Sequence, residues 1–304
     1  MNNDKVYFKN LDSIRFIAAL IVFLGHAIYP SYKFLPIENT YIEKFLLTIS
    51  DGGTGVSIFF VLSGFLITYL LISEHEIKST ISLKKFYIRR FLRTWPLYFA
   101  VVAFSFAIYP MFKTLLGINN PLASNFLYYL VFLSNFDVIN VEKFHVGGDA
   151  MIQNVMWSVS IEEQFYLFWP LIFTFLPKRF WIYPILLVIA GSLFFRIMNN
   201  DDQIVLNFHT FSVLVDLGIG ALMALLIKEN VKVKRFFEQS STKTHLILMI
   251  IAFCLILWKE EIFFFPLWKC SQQVVQFYFF CTCNNSSGDN QNRIKTKSEK
   301  FNFC

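Results

Sequence analysis

Charge is scarce in this chain. Asp, Glu, Lys and Arg make up 16% of its 304 residues, while 56% are hydrophobic and 19% aromatic. A soluble domain of that length needs far more polar surface. The shortage excludes an ordinary water-soluble globule and indicates a polytopic membrane protein. Cysteine is absent up to residue 253 and then occurs at Cys254, Cys270, Cys281, Cys283 and Cys304. Only Cys281 and Cys283 are close, and such a pair with no second pair and no histidine is a weak metal signal. No set of His, Asp and Glu has metal-ligand spacing either. There is no internal repeat and no long linker. No small-residue cleavage site follows the N-terminal MNNDKVYFKN, which reads as an uncleaved signal anchor. No Gly-x-Ser-x-Gly elbow occurs, so a serine hydrolase is unsupported. The formal net charge of +6 comes without any nucleic-acid recognition motif. Its cations sit in short stretches between apolar runs, which excludes nucleic acid as a partner.

What is present is a series of apolar runs near the ~20 residues that a bilayer span requires. They cover about 11–31, 55–73, 95–112, 157–176, 182–198, 208–227 and 245–258. The expected fold class is all-α: a polytopic transmembrane helix bundle with about seven recognisable spans. Loop charges orient it. Lys78, Lys84, Lys85, Arg89, Arg90 and Arg93 crowd residues 74–93, which places that loop, and with it the N-terminus, on the cytoplasmic side. Lys178 with Arg179, and Lys228 with Lys232, Lys234 and Arg235, form two further inside loops. Parity then forbids a single crossing by the short apolar piece 125–136, which reads as interfacial or re-entrant on the outer face.

Five stretches carry chemistry. The first span, LDSIRFIAALIVFLGHA, holds Arg15 and His26, although a charge inside a span costs roughly 2.5–3.5 kcal/mol on insertion scales. Eleven residues apart, they share nearly one helical face, about 16 Å apart along the axis. Taken alone, Arg15 is equally well a side chain snorkelling to the interface and His26 a satisfied interior histidine. In FYIRRFLRTWPLY, Arg90 and Arg93 share a helical face with Arg89 beside them. Arginine forks match phosphate oxygens, and ordinary positive-inside flanking accounts for them too. In WSVSIEEQFYLFWP, Ser160 and Glu163 fit a capping box. That leaves Glu162, in the first turn of an outer helix end and level with His26, to orient a histidine or take a proton. The stretch DGGTGVSIFFVLSGFLIT offers Gly52, Gly53, Gly55 and Gly64 for close helix approach, with Ser57 and Ser63 as small polar groups. Finally, His209 and Asp216 lie two turns apart, and Asp216 in its apolar span calls for a partner, Arg15 or an arginine of the basic loop.

Taken together these segments resemble the acyltransferase-3 family of integral membrane acyltransferases. The resemblance rests on Arg15 and His26 in the first span, FFVLSGFLIT after a Gly-rich loop, Arg90-x-x-Arg93 followed by Pro96 and Tyr98, and WSVSIEEQFYLFWP, in this order. It covers residues 11–227. It implies an O-acyltransferase of the bacterial cytoplasmic (inner) membrane that moves an acyl group, often acetyl, onto hydroxyls of glycans or other acceptors. Acetyl-CoA or another acyl-CoA would be a donor substrate, with no permanently bound cofactor and no metal. His26 would be the catalytic base, supported by Arg15, and Glu162 would be the functional glutamate of its pair. Arg90 and Arg93, with Arg89 adjacent, would hold the CoA phosphates. Ser63, Tyr98, Glu163 and Asp216 are further candidates. Expected partners are acyl-CoA, a glycan or other hydroxyl acceptor, and the lipid bilayer.

The end of the chain departs from the family, which the resemblance gives about ten spans against the about seven here. Residues 1–266 read as the transmembrane acyltransferase-3-like domain. Residues 267–304 read as an atypical polar tail with four of the five cysteines, expected to be out of frame. The competing readings are a proton- or ion-coupled transporter using Arg15, His26 and Asp216, and an inactive truncated acyltransferase. A transporter requires no paired arginines at a phosphate-binding loop and should show repeat symmetry.

Overall fold

The computed structural model describes residues 11–28, 52–118, 121–144, 151–233 and 235. The apolar run 245–258, the tail 267–304, all five cysteines, His145 and His245 lie outside the described residues. The described chain is helical almost throughout. Its elements are α1 (Leu11–Ile28), α2 (Gly52–Lys78), α3 (Leu83–Ala103), a π-helical turn (Phe104–Ile108), α4 (Tyr109–Leu115), α5 (Phe126–Leu130) and α6 (Ser134–Phe144). After these come α7 (Met151–Asn154), α8 (Trp157–Phe175), a 3-10 turn (Lys178–Phe180), α9 (Ile182–Met198), α10 (Gln203–Phe208) and α11 (Thr210–Glu229). Four continuous helical stretches among them are long and apolar enough to cross a membrane: Gly52–Lys78, Leu83–Leu115, Lys178–Met198 and Gln203–Glu229. The all-α membrane bundle expected from the apolar runs is the fold observed.

The centre of the bundle is α2 against α11. Lipid tails are as apolar as leucine, so helices in a membrane associate through close packing rather than by escaping water. The sequence supplies that closeness with glycine. A Cβ on Gly64 would fall on the Leu217 carbonyl, and one on Gly220 would fall on the Val61 carbonyl. Gly55 does the same for α1, where a Cβ would meet Ala18 O and Val22 Cγ2, each at 2.7 Å. Around this pair α8 and α9 add an aromatic ladder. Phe165 stacks on Trp169 at 4.6 Å, Trp169 meets Phe173 at 5.3 Å, and Phe173 meets Trp181 at 4.9 Å. Trp169 Nε1 donates to Thr68 Oγ1 at 2.8 Å, which satisfies both polar groups inside the core.

Helix α3 stands at the rim. Only 17% of its apolar window is buried, against 56% for α2 and 61% for the α10–α11 stretch, so the described helices cover little of it. The basic segment expected as a loop is largely helix. α2 runs on to Lys78, and α3 begins at Leu83 behind Ser82 in extended conformation. Lys84, Lys85 and Arg89 take the exposed face while Phe86 is buried, the amphipathic pattern that lets a charged run fold as helix. The apolar piece 125–136 does not cross. Asn125 accepts from Leu127 N and caps α5, Phe132 turns the chain at φ 56°, and α6 starts at Ser134.

Ion pairs tie one end of the bundle together. Glu76 meets Lys228 at 3.0 Å and Lys178 at 3.6 Å, and Lys178 meets Glu229 at 3.4 Å. The C-terminal ends of α2 and α11 and the start of the α9 stretch therefore share one lysine-rich end. The short helices α5, α6 and α10 gather at the other end, where Lys143 pairs with Asp202.

Candidate active site

Three helices bring one group of polar side chains together. Ser63 lies near the middle of α2, and its Oγ donates to Glu162 Oε1 at 2.8 Å. The other carboxylate oxygen accepts from Tyr166 OH at 2.9 Å. Tyr166 is four residues beyond Glu162, one turn along the same face of α8, and is only 5% exposed. Arg90 of α3 holds its guanidinium carbon 5.3 Å from the Tyr166 ring and 5.8 Å from the Phe86 ring, a cation–π arrangement suited to a poorly hydrated cation. Its charge is close enough to act on both Glu162 and Glu163. Glu163 is buried, and its Oε2 accepts from Trp95 Nε1 at 3.0 Å. A carboxylate away from bulk water is costly unless donors and a cation surround it. Here every helix of the site contributes one.

A second network lies beside the first, toward the short helices. Thr210 donates to Gln164 Oε1 at 2.6 Å, and Gln164 Nε2 donates to Phe132 O at 2.7 Å and Asn135 Oδ1 at 3.0 Å. Asn135 in turn donates to Phe208 O and Thr210 Oγ1. Phe132 sits in the left-handed region, which is costly for a bulky residue. The bond from Gln164 and ring contacts with Tyr98 at 4.5 Å and Trp95 at 5.0 Å hold it there.

A family profile describing an acyltransferase domain matches residues 8–283. The chain belongs to this acyltransferase family. Among curated proteins it is 31% identical over 224 residues to an uncharacterized protein of Haemophilus influenzae, covering 69% of this chain and 90% of that protein. It is 33% identical over 170 residues to the peptidoglycan O-acetyltransferase OatA of Listeria monocytogenes, covering 54% of this chain and 24% of that one. The O-acetyltransferase OatA of Staphylococcus aureus is 33% identical over 189 residues, 59% of this chain and 30% of that protein. The chain thus matches about a quarter to a third of the length of the OatA relatives. No solved structure matches.

In this member of the family the structure sorts the residues singled out in the sequence. Ser63, Glu162, Glu163 and Arg90 come together. Arg93 and Arg89 stay exposed on α3, and Arg89 lies 3.8 Å from Glu74. The capping box does not form. α8 starts at Trp157, so Ser160 is already inside the helix, where its hydroxyl meets Ser134 Oγ at 2.6 Å. Tyr98 belongs to that neighbouring group, donating to Tyr129 O at 2.9 Å. Asp216 is buried on α11, while Arg15 pairs with Asp12 at 3.3 Å. His209 caps α11 at a break in the last described span, accepting from Phe211 N, so it does not share a continuous helix face with Asp216.

His26 and Glu162 are not level. Gly55 packs against Ala18 and Val22, and Ile14 joins Val61, Leu62 and Phe65, so α1 runs antiparallel to α2. Ser63 lies eight residues past Gly55, and His26 lies four residues beyond Val22 in the opposite direction. At ~1.5 Å per residue they stand roughly 18 Å apart along the bundle. The depth shared with Ser63 and Glu162 is that of Arg15, next to Ile14. Glu162 lies this deep because it falls in the second turn of α8, which packs beside the middle of α2.

Several participants were not singled out in the sequence. Tyr166 was legible as the residue one turn past Glu162. Trp95 and Gln164 carry no such mark, because amide and indole groups draw notice only once their partners are known. Arg196 was legible as a charge in an apolar run. It is 4% exposed, and its guanidinium donates to Ser212 Oγ at 2.8 Å, close to the break before α11.

Proposed function

We propose that this protein is an integral inner-membrane O-acyltransferase that moves an acyl group, acetyl first of all, from acyl-CoA to a hydroxyl of a cell-surface glycan. The observation that carries the reading is the Ser63–Glu162–Tyr166 hydrogen-bonded group with Arg90 beside it, in a chain of the acyltransferase family. A carboxylate oriented by two donors is a base able to take a proton from a hydroxyl. Arg90 is turned inward and supplies positive charge where negative charge develops. Arg89 and Arg93, exposed one residue before and three residues after Arg90, would meet the CoA phosphates. Arg15 stands at the depth of the carboxylate. His26, at the far end of α1, would stand on the acceptor's way in from the other end of the bundle. The name of the Listeria relative makes peptidoglycan the first acceptor to try.

The test uses membranes carrying the full chain, labelled acetyl-CoA and a peptidoglycan acceptor. The double variant Arg89→Ala with Arg93→Ala should raise the apparent KM for acetyl-CoA more than tenfold, since hydrogen bonds to charged groups are each worth about 1.5–3 kcal/mol. His26→Ala should stop label reaching glycan. An unchanged KM in the double variant, or undiminished glycan labelling without His26, would sink these assignments.

A further inference from the structure

We infer that Ser63 is a covalent way-station: its Oγ takes the acyl group from the donor and then gives it to the acceptor hydroxyl. The inference rests on the acyl-transfer reading above and goes beyond it, since direct transfer from donor to acceptor would need no nucleophile in the protein.

The geometry is that of an activated nucleophile. A hydroxyl within hydrogen-bond reach of a base, with the base oriented by a third group, is the arrangement that nucleophilic catalysis requires. Ser63 Oγ lies 2.8 Å from Glu162 Oε1, and Tyr166 OH fixes the other oxygen at 2.9 Å. Hydroxyls inside helices commonly spend their proton on the carbonyl one turn back. Thr94, Thr114 and Thr174 all do so here, donating to Arg90 O, Pro110 O and Pro170 O. Ser63 instead donates across to another helix. Its direction is pinned from both sides. The missing Cβ of Gly64 lets the Leu217 carbonyl press on α2, so the helix has no room to rotate. Five residues on, Thr68 accepts from Trp169 and locks the same α2–α8 register. Ser63 and Glu162 are each half-buried. Ser134 and Ser160, by contrast, are fully buried and bonded to each other.

In the first half-reaction Ser63 Oγ attacks the thioester carbonyl carbon as Glu162 takes the hydroxyl proton. A carbon–oxygen bond forms and the carbon–sulfur bond breaks. The CoA thiolate leaves and takes the proton from Glu162. In the second half the acceptor hydroxyl attacks the Ser63 ester and loses its proton to Glu162. The ester bond to Oγ breaks, and Ser63 recovers its proton from Glu162. No oxidant or further reactant enters.

The experiment incubates the full chain in membranes with labelled acetyl-CoA and no acceptor, then isolates the protein under denaturing conditions. The parent should carry label on the Ser63 peptide that alkali removes and neutral hydroxylamine does not, as for an oxygen ester. Ser63→Cys should retain label and render it labile to neutral hydroxylamine, as for a thioester, which also shows that the variant folds. Ser63→Ala should carry none at this position. Adding acceptor should chase label from the parent protein to glycan. If the parent labels glycan while neither it nor Ser63→Cys holds protein-bound label, the way-station falls and the acyl-transfer reading stands. Protein label on a different residue overturns it equally. If the parent neither holds nor transfers label, both fall together.

Discussion

Glu162 accepts two hydrogen bonds from side chains of different character, and the difference can be measured. Ser63 reaches it from another helix, whereas Tyr166 reaches it from one turn away on its own helix. Removing the phenol leaves the ring and its contact with Arg90 in place but strips one donor from the carboxylate. A hydrogen bond to a charged group contributes about 1.5–3 kcal/mol, so Tyr166→Phe should lower kcat about tenfold or more. The KM for acetyl-CoA should move little, because the exposed cations on α3 are untouched. Steady-state kinetics in membranes separates the two effects. A rise in KM at constant kcat would put Tyr166 in donor binding instead of proton transfer. The sequence made the two glutamates conspicuous and gave Glu163 to a capping box, whereas in the structure its partner is Trp95. Adjacent residues on a helix point about 100° apart, and which way each points depends on neighbours that no local pattern names. Trp95 took Glu163, leaving Glu162 to Ser63.

Glycine decides how the elements meet. Gly64 and Gly191 are both helical, yet a Cβ on Gly64 would strike the Leu217 carbonyl while one on Gly191 would meet nothing within 4 Å. Gly64→Ala should therefore cost about 1–3 kcal/mol through forced separation of α2 and α11. Gly191→Ala should be neutral or slightly stabilising, by about 0.5–1 kcal/mol of helix propensity. Thermal midpoints in detergent give the comparison, and equal midpoints would refute the close α2–α11 approach. The short helices are held by charge as well. Asp202 caps α10 through Val205 N at 2.9 Å and pairs with Lys143, and these bonds hold its carboxyl below the ordinary aspartate value. A lowered folded pKa gives stability that is full above the unfolded value near ~3.9 and lost as pH falls through the folded one. Acidification across that window should loosen α6 from α10, read as faster amide exchange there. Asp202→Asn should show the loosened state at neutral pH and little further change in acid.

At the scale of the whole molecule, the apolar runs and the charges between them were enough to read an all-α bundle and the non-crossing piece near Phe126. They did not reveal that α3 would turn Arg90 into the bundle. A flanking-charge rule sees Arg90 only as a loop cation, whereas helix α3 and the Tyr166 ring turn it toward Glu162. The depth of Glu162 differs from the sequence expectation for a related reason. Depth in a bundle follows from helix register, which Gly55 against Ala18 and Ser63 against Glu162 define, and register is a property of pairs. The ends of α2 and α11 share a lysine-rich end with Lys178, and an excess of Lys and Arg marks the cytoplasmic side of short loops. From that end the nearest station is the carboxylate group, and the farther one is His26. A donor from the cytoplasm and an acceptor from outside would then approach from opposite ends. Sealed inverted vesicles should take label from added acetyl-CoA, while sealed right-side-out vesicles should not until they are permeabilised. Equal labelling by both intact preparations would mean that donor and acceptor share one entrance, and the division of the bundle between Arg90 and His26 would have to be given up.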